Sequence, residues 1–465
     1  MARDSDDAIP IESWAELAAD IEAGEKPAER WRIGTEHEKF PFYQSDLAAV
    51  PYEADAAGRP GIRAVLEGLR DLDGWEPILD GGRIIGLAEA ASETGPGGAI
   101  SLEPGGQFEL SGAPLETIHQ TCSEANEHLK HLRTVAEPMG IGFLGLGFDP
   151  MRARADVPLM PKRRYEIMRA YMPRVGDHGL DMMLRTCTVQ VNLDFASEAD
   201  MVAKMRASLA LQPIATALFA NSPFKEGQPA GAVSLRSRIW RDTDPARTGM
   251  LPFVFEEGFG YQAYVDYALD VPMYFVKRGD TYTDVAGASF RQFLERGLDQ
   301  LPGERPTRSD WTNHVSTIFP EVRLKRFLEM RGADGAPWRR ICALPAFWVG
   351  LLYDTDSLGQ ALELVAPWDA EQRQALRDTV PETGLKGTVA GIDVHETARR
   401  AVAIARDGLV RRARMGWAGE DETSFLDPAM EVAESGVTAA ERLLESYQGE
   451  WGGSVAPLYA EKAYY

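Results

Sequence analysis

Four segments of this chain place charged or amide side chains two residues apart. In SLEPGGQFELSG, residues 101–112, Gln107 and Glu109 alternate with Phe108 and Leu110. Successive side chains of a β-strand point to opposite faces, so this segment has one polar and one apolar face. Because only an extended strand turns this spacing into a face, the feature constrains the fold more than any other.

The same spacing recurs in three further segments. They are GTEHEKF with Glu36 and Glu38, TVQVNLDF with Gln190 and Asn192, and FLEMRG with Glu329 and Arg331. Any one such pair is typical of the solvated face of an antiparallel sheet. Their recurrence favours one antiparallel sheet whose strands present a shared acidic, concave face.

Carboxylates gathered on one face repel each other, and divalent cations relieve that repulsion. Hard oxygen ligands suit Mg²⁺ or Mn²⁺. One Mg²⁺ normally takes one or two carboxylates, so a larger group predicts several ions that share a polyphosphate such as ATP. The chain has no GxxxxGK[ST], and it has no GxGxxG between a strand and a helix, which disfavours P-loop and Rossmann sites. The candidate ligands are Glu36, Glu38, Glu103, Glu109 and Glu329.

Basic residues cluster at three places, two of them beside an aromatic residue. The clusters are Lys162, Arg163 and Arg164 before Tyr165, Arg236 and Arg238 before Trp240, and Arg323, Lys325 and Arg326 before Glu329. A charge run usually lies on a solvated surface. In an acidic protein, however, arginine beside an aromatic ring suits a carboxylate ligand. ATP next to a bound carboxylate predicts a ligase in which an acyl phosphate meets an amine.

Composition narrows the class of protein. A chain of 465 residues exceeds a single small core. The net charge of −22 argues against nucleic-acid and anionic-membrane partners. No apolar run reaches the ~18 residues of a membrane span, and the acidic start MARDSDDAIP lacks the apolar region of a signal peptide. Without a CxxC pair the three cysteines predict neither a zinc knuckle nor a disulfide scaffold. We therefore expect a cytoplasmic protein.

The helical patterns divide the chain into two regions. Residues 1–355 are predicted to form a mixed α/β catalytic region, and residues 356–465 a helical region packed on it as one integrated domain. A long helix is predicted at 115–136, with His128 and His131 three residues apart. Because no third ligand is near, this pair indicates a helix face rather than a metal site.

Several long motifs resemble glutamate–cysteine ligases of the plant and proteobacterial type. They are GTEHEKF, SLEPGGQFELSGAPLET, PKRRYEIM, RTCTVQVNLDF, ANSPF, TDPARTGMLPF, ALDVPMYFV and FPEVRLKRFLEMRGADGAPWRR. The resemblance runs from about Trp31 to the C-terminus. It implies an α+β fold whose antiparallel-sheet core is similar to that of glutamine synthetase, with a funnel-like active site. It also implies ATP, Mg²⁺, L-glutamate and L-cysteine as ligands, γ-glutamylcysteine as product, and a monomer or homodimer.

The resemblance assigns roles to single residues. The metal and phosphate shell corresponds to Glu36, Glu38, Glu103, Glu109 and Glu329, with Gln190 and Asn192 beside it. The glutamate pocket corresponds to Arg164, Arg236, Trp240 and Tyr274. The catalytic residues correspond to Arg331 and Glu329. Two positions depart from the pattern. Val285 and Gln300 stand where many plant relatives have a cysteine pair, and Arg238 stands where relatives have histidine.

Cys122 and Cys342 match a second cysteine pair, which in the family can form a disulfide. A reduced thiol in the core is the usual state of a cytoplasmic cysteine, so both states stay open. Cys187 is expected to be unpaired.

Three alternatives to a glutamate–cysteine ligase remain open at this point: a metal-dependent hydrolase, a non-catalytic nucleotide- or amino-acid-binding protein, and a ligase that joins glutamate to another amine.

Overall fold

A computed structural model describes residues 8–91, 96–417 and 419–464. Its strands are β1 Ile33–Tyr43, β2 Glu76–Asp80, β3 Arg83–Ala88, β4 Ala99–Leu102, β5 Phe108–Ser111, β6 Ile141–Leu144, β7 Thr188–Leu193, β8 Phe224–Lys225, β9 Gln228–Pro229, β10 Thr248–Gly249, β11 Phe275–Arg278, β12 Thr281–Asp284, β13 Phe319–Pro320, β14 Val322–Leu324, β15 Leu328–Asp334, β16 Thr388–Val389 and β17 Ile392–Asp393.

The α-helices of the same ranges surround the strands. They are α1 Ala15–Glu22, α2 Ile62–Asp73, α3 Ile118–Ala136, α4 Arg164–Tyr171, α5 Gly179–Arg185, α6 Glu198–Leu218, α7 Leu235–Trp240, α8 Tyr261–Asp270, α9 Phe290–Arg296, α10 Arg308–Ser316, α11 Trp338–Ile341, α12 Ala343–Leu352, α13 Thr355–Val365, α14 Ala370–Thr383, α15 Val394–Arg412, α16 Asp427–Ser435, α17 Ala439–Gln448 and α18 Ala456–Lys462. Within the described chain no helix combines the length and apolarity that a membrane crossing needs.

Nine strands of the described ranges form one sheet in the order β14–β15–β7–β1–β5–β4–β3–β2, and β6 pairs with the far end of β1. The neighbouring strands of this sheet run antiparallel. The predicted α+β class with an antiparallel-sheet core is therefore confirmed. The four segments with alternating polar residues supply β5, β1, β7 and β15, which are consecutive in the sheet.

Strand β1 carries acidic side chains on one face and basic side chains on the other. Glu36 and Glu38 alternate with His37 and Lys39, so the two pairs point to opposite faces. Helix α3 packs against β1, and the ring of its His128 lies 5.6 Å from that of His37. The ammonium group of Lys39 is fully buried and donates to the backbone oxygens of His37 and Phe108 at 3.3 Å.

The predicted long helix at 115–136 begins three residues late, at Ile118. Thr117 caps it, because its hydroxyl accepts from the amide of Gln120 and the Gln120 side chain accepts in return from the amide of Thr117. This reciprocal pair satisfies amide groups that would otherwise lack partners at a helix start.

The C-terminal helices pack on the earlier part of the chain. Helices α13 and α14 contact α6, and α15 contacts α12. One hydrophobic core includes Val191 of β7, Leu211 of α6, Trp348 of α12 and Leu409 of α15. The division at residue 355 thus stays a prediction, since both regions contribute to the same core.

Candidate active site

The predicted carboxylates of β1, β4 and β5 lie together on one face of the sheet. Glu38 stands directly opposite Glu109 in the pairing of β1 with β5. Glu36 on the same face of β1 stands opposite Gln190 of β7. Glu103 follows the end of β4, and all four carboxylates line one cavity.

Neutral groups hold two of these carboxylates. The hydroxyls of Ser101 and Ser111 donate to the two oxygens of Glu109 at 2.7 and 2.6 Å. The amide of Thr188 donates to Glu38 at 2.9 Å. Among the described residues, neither Glu38 nor Glu109 forms an ion pair within 4.0 Å. The described residues therefore orient these two buried carboxylates without pairing a cation directly with either of them.

Burial and electrostatic repulsion shift the pKa values of Glu38 and Glu103. Burial, with the charges of Glu103 and Glu109, raises the pKa of Glu38 well above its ordinary value. Burial and the charge of Glu109 likewise raise the pKa of Glu103. A cation bound between them would remove this penalty. The donor set consists of hard oxygen atoms, which fits a divalent cation such as Mg²⁺.

The carboxylates are spread along the cavity rather than closed around one point. In the described part of the chain, no group of three or more His, Cys, Asp or Glu side chains has the geometry to hold a metal ion by itself. A bound ion would thus depend on oxygen atoms from a ligand and from water, which is usual for Mg²⁺ at phosphate sites.

Glu329 pairs with cations of the protein itself. Its side chain is fully buried on β15, and both of its oxygens accept hydrogen bonds from Arg323. Lys325 and Arg331 lie 3.3 and 3.1 Å from the same carboxylate. Although burial opposes ionisation, these cations hold the pKa of Glu329 well below its ordinary range. Protein cations thus already pair with Glu329, so a metal ion is not needed to neutralise it, and its predicted role as a metal ligand stays a prediction.

Arg331 connects this ion cluster to the cavity. Its guanidinium group donates to the side-chain oxygen of Gln190 as well as to Glu329. Asn192 lies on β7, like Gln190, and its side chain donates to Glu36 at 2.9 Å. The amides predicted at Gln190 and Asn192 therefore connect to the charged side chains, one to Arg331 and one to Glu36.

Arg164, Arg236 and Trp240 line the same cavity, as predicted for a carboxylate pocket. Arg236 is 3% exposed, and one of its terminal nitrogens donates to the backbone oxygen of Arg331 at 2.9 Å. Its Nε has no hydrogen-bond partner among the described residues. The guanidinium carbon lies 5.6 Å from the centre of the Trp240 ring. A buried guanidinium with an unused donor beside an aromatic wall suits a carboxylate ligand.

Two residues of the basic and aromatic segments stand apart from the described lining of the cavity. Tyr274 packs its ring 3.9 Å from the guanidinium of Arg247 and is not among the described residues that line the cavity. Arg238 donates to the backbone oxygen of Ala230 outside the cavity. Tyr274 belongs to the same hydrophobic cluster as Met168 of the cavity wall, and its role in the glutamate pocket stays a prediction.

The structure adds cavity residues that the sequence analysis did not assign to the site. The hydroxyl of Tyr165 donates to Glu103 at 3.3 Å, and Arg323 and Thr188 also line the cavity. The segment RLKRFLEMR contains a signal for one of them. Read as a hairpin, it places Arg323 opposite Glu329, as the structure does. Met168, Met182 and Met183 complete a sulfur-rich part of the wall.

Cys122 of α3 and Cys342 are free thiols, and each shifts the pKa of the other, lowering that of Cys122 and raising that of Cys342. The structure thus brings together the two cysteines that the resemblance pairs, and their oxidation stays a prediction. Cys187 is a separate, fully buried thiol.

Comparison with known proteins gives the family. The model of glutamate–cysteine ligase family 2 matches residues 32–461. The chloroplastic glutamate–cysteine ligase of Brassica juncea is 58% identical over 449 residues, covering 97% of this chain and 84% of the relative. The Arabidopsis thaliana enzyme is also 58% identical, covering 97% of this chain and 82% of the relative.

A solved structure supports the fold. The glutamate–cysteine ligase of Francisella tularensis, in complex with AMP, matches with a TM-score of 0.50 over 90% of this chain and 85% of that chain. The two sequences are 12% identical, so the likeness concerns the fold alone.

The relatives also correct one prediction. They are named as chloroplastic enzymes, which contradicts the cytoplasmic location expected from composition. Composition alone does not separate the cytosol from the aqueous interior of an organelle. The match over residues 32–461, together with relatives that are 58% identical to it over 449 residues, shows that this chain belongs to glutamate–cysteine ligase family 2.

Proposed function

We propose that this protein joins the γ-carboxylate of L-glutamate to the amino group of L-cysteine, using ATP, and so catalyses the first step of glutathione synthesis. Its closely similar relatives are named glutamate–cysteine ligases. The observation that carries the proposal is one buried cavity where facing carboxylates, Glu38 and Glu109, lie with the guanidinium groups of Arg236 and Arg331. A triphosphate with its metal ions and an amino-acid carboxylate need these two kinds of group side by side.

Glu36, Glu38, Glu103 and Glu109 would hold Mg²⁺, and their hard oxygens would also accept Mn²⁺. When bound, the ions neutralise the phosphate charge of ATP and so favour phosphoryl transfer. Ser101 and Ser111 fix the orientation of Glu109, and Asn192 fixes that of Glu36. The protein thus holds its carboxylates in place before any ligand binds, which lowers the cost of binding.

The basic residues bind and orient the reacting acid. Arg164 and Arg236 bind the carboxylates of glutamate, and Trp240 forms the wall beside Arg236. Arg331, held by Glu329 and Gln190, stabilises negative charge on the transferring phosphoryl group. An oxygen of the γ-carboxylate attacks the γ-phosphorus and ADP leaves, which yields γ-glutamyl phosphate. The neutral amine of cysteine then attacks the carbonyl carbon, phosphate leaves, and the amine gives up a proton.

A turnover assay tests the proposal. We expect ADP release to require both glutamate and cysteine, with a product whose mass equals that of their condensation by loss of one water. A hydrolase would act without nucleotide, and a binding protein would retain ATP without turnover. ADP release with glutamate and a different amine only would show that the ligase uses another acceptor. The monomer or homodimer state stays a prediction.

A further inference from the structure

One part of the cavity wall is built from methionine side chains. Met168 of α4 and the adjacent Met182 and Met183 of α5 line the cavity and are 5%, 8% and 2% exposed. They belong to a small hydrophobic cluster that also contains Tyr165 and Leu235. Much of the remaining lining is charged or hydrogen-bonding, so this patch is a distinct apolar surface within a polar site.

The polar residues beside these methionines use their hydrogen-bonding groups on the backbone. The side-chain nitrogen of Gln107 donates to the oxygens of Met183 and Thr186 at 3.2 and 3.0 Å, and its oxygen accepts from the amide of Gly105. The hydroxyl of Thr186 donates to the oxygen of Met182 at 2.7 Å. A ligand group placed against the methionines therefore meets thioethers and methylenes. The indole nitrogen of Trp240, whose ring packs against the same cluster, has no partner among the described residues.

The substrates differ in what they can bury against such a surface. The phosphates of ATP and both carboxylates of glutamate require charge or hydrogen bonds. The CH₂SH group of cysteine is small, uncharged and polarisable, and its thiol is a weak hydrogen-bonding group. A serine hydroxyl at the same place would lose its bonds to water without replacement from the methionines.

We propose that Met168, Met182 and Met183 bind the side chain of the amine substrate and select a thiol over a hydroxyl. The inference rests on the proposed ligase function and adds the residues that choose the acceptor. Because an apolar pocket rejects a hydroxyl-bearing isostere only moderately, we expect a preference for cysteine over serine of about 10²-fold in kcat/KM.

The first experiment compares acceptors with the wild-type protein under reducing conditions. Cysteine, 2-aminobutyrate, serine and alanine are tested at saturating ATP and glutamate. The kcat/KM of the apolar isostere 2-aminobutyrate should lie within about tenfold of that of cysteine. The kcat/KM of serine should be about tenfold lower than that of 2-aminobutyrate. Serine that equals or exceeds 2-aminobutyrate would overturn the proposal. No ADP release with any of these amines would instead refute the proposed function.

The second experiment changes the wall. Met168→Gln and Met182→Gln nearly conserve volume but add a hydrogen-bonding amide. Each should lower the cysteine-to-serine ratio of kcat/KM by about tenfold, while the KM values for glutamate and ATP stay within about twofold. Met168→Leu keeps the wall apolar and should retain the ratio. Met151→Gln, on an exposed methionine outside the cavity, controls for the substitution itself.

Two outcomes of this experiment contradict the proposal. If both single variants, Met168→Gln and Met182→Gln, are active and keep the wild-type cysteine-to-serine ratio of kcat/KM, these methionines do not contact the acceptor side chain. A rise in the glutamate or ATP KM without a change in the ratio would assign the wall to that substrate. If the glutamine variants do not fold, the comparison of serine with 2-aminobutyrate in the wild-type protein still tests the proposal and can overturn it.

Discussion

Arg323 of β14 forms a two-point ion pair with Glu329, the residue directly opposite it on β15. Replacing Glu329 with Gln leaves Arg323, Lys325 and Arg331 without their shared negative partner in a buried place. We expect Glu329→Gln to lower the free energy of unfolding by about 3–5 kcal/mol, because uncompensated buried charge is costly. Urea unfolding without nucleotide or metal measures this loss. Glu36→Gln is the matched control, because Glu36 has no ion pair with a described residue. Equal stability of both variants would contradict the role of Glu329 as the shared partner of these cations.

Glu109→Gln should separate catalysis from stability. The change removes one charge from the facing carboxylates and keeps an oxygen that accepts from a serine hydroxyl. We expect turnover to fall by about 10²-fold or more. Thermal stability without metal should stay within about 1 kcal/mol of wild type, since the relieved repulsion on Glu38 offsets the loss of one of the serine hydrogen bonds that favour the charge of Glu109. Mg²⁺ with ATP should raise the melting temperature of wild type but not of the variant. A less stable variant with full activity would refute the assignment of Glu109 to metal.

Arg236→Lys keeps a positive charge but loses the planar fork that binds a carboxylate at two points. We expect the KM for glutamate to rise at least about tenfold with little change in the KM for ATP. Arg238→Lys is the control, because Arg238 lies two residues on and outside the cavity. A weaker affinity for ATP with an unchanged KM for glutamate would place Arg236 at the phosphates.

Glu124 of α3 should make stability depend on pH. Burial, with smaller effects of Glu89 and Glu127, raises the pKa of Glu124 from 4.5 to about 7. Between these values the unfolded chain has released the proton while the folded chain retains it, so stability falls as pH rises through this window. Glu124→Gln is neutral throughout and should gain about 1–3 kcal/mol over wild type near pH 8, with little gain near pH 4.5. Urea unfolding at both pH values measures it, with Glu127→Gln as the exposed control. A gain independent of pH would exclude this ionisation as the cause.

The Cys122 and Cys342 thiols should cross-link under mild oxidation, because they are free and close enough to shift each other's pKa. The bridge would close a loop of roughly 220 residues, for which the chain-entropy model allows about 4–5 kcal/mol. Peptide mass analysis without reductant should show the linked pair, and the melting temperature should rise on oxidation. Cys122→Ser should abolish both changes, and Cys187→Ser should abolish neither. Unlinked peptides after oxidation would leave these cysteines as packing residues.

The spacing of polar residues predicted much of the site because a strand converts sequence period directly into a face. Glu36, Glu38, Glu109 and Gln190 share one cavity because their strands are neighbours in the sheet. The same spacing put Glu329 on a strand, but spacing does not reveal which partners a side chain meets.

Long-range contacts account for the rest. Tyr274 precedes β11, and its ring packs against Arg247 and Tyr171, which lie elsewhere in the sequence. The methionine wall comes from α4 and α5, which are 8 and 7 residues long, too short for a clear amphipathic pattern. Neither feature leaves a periodic signal in the sequence, so only the folded arrangement reveals it.

The acidic and basic faces of β1 favour the native register of this strand during folding. A slip of one residue would turn His37 and Lys39 toward the guanidinium groups of the cavity. It would also turn Glu36 and Glu38 toward the apolar space beneath α3. Such a misregistered strand is disfavoured on both sides at once, whereas a strand with two apolar faces would tolerate it. Glu36 and Glu38, which are proposed to bind the metal ions, thereby also help to fix the register of β1 in the sheet.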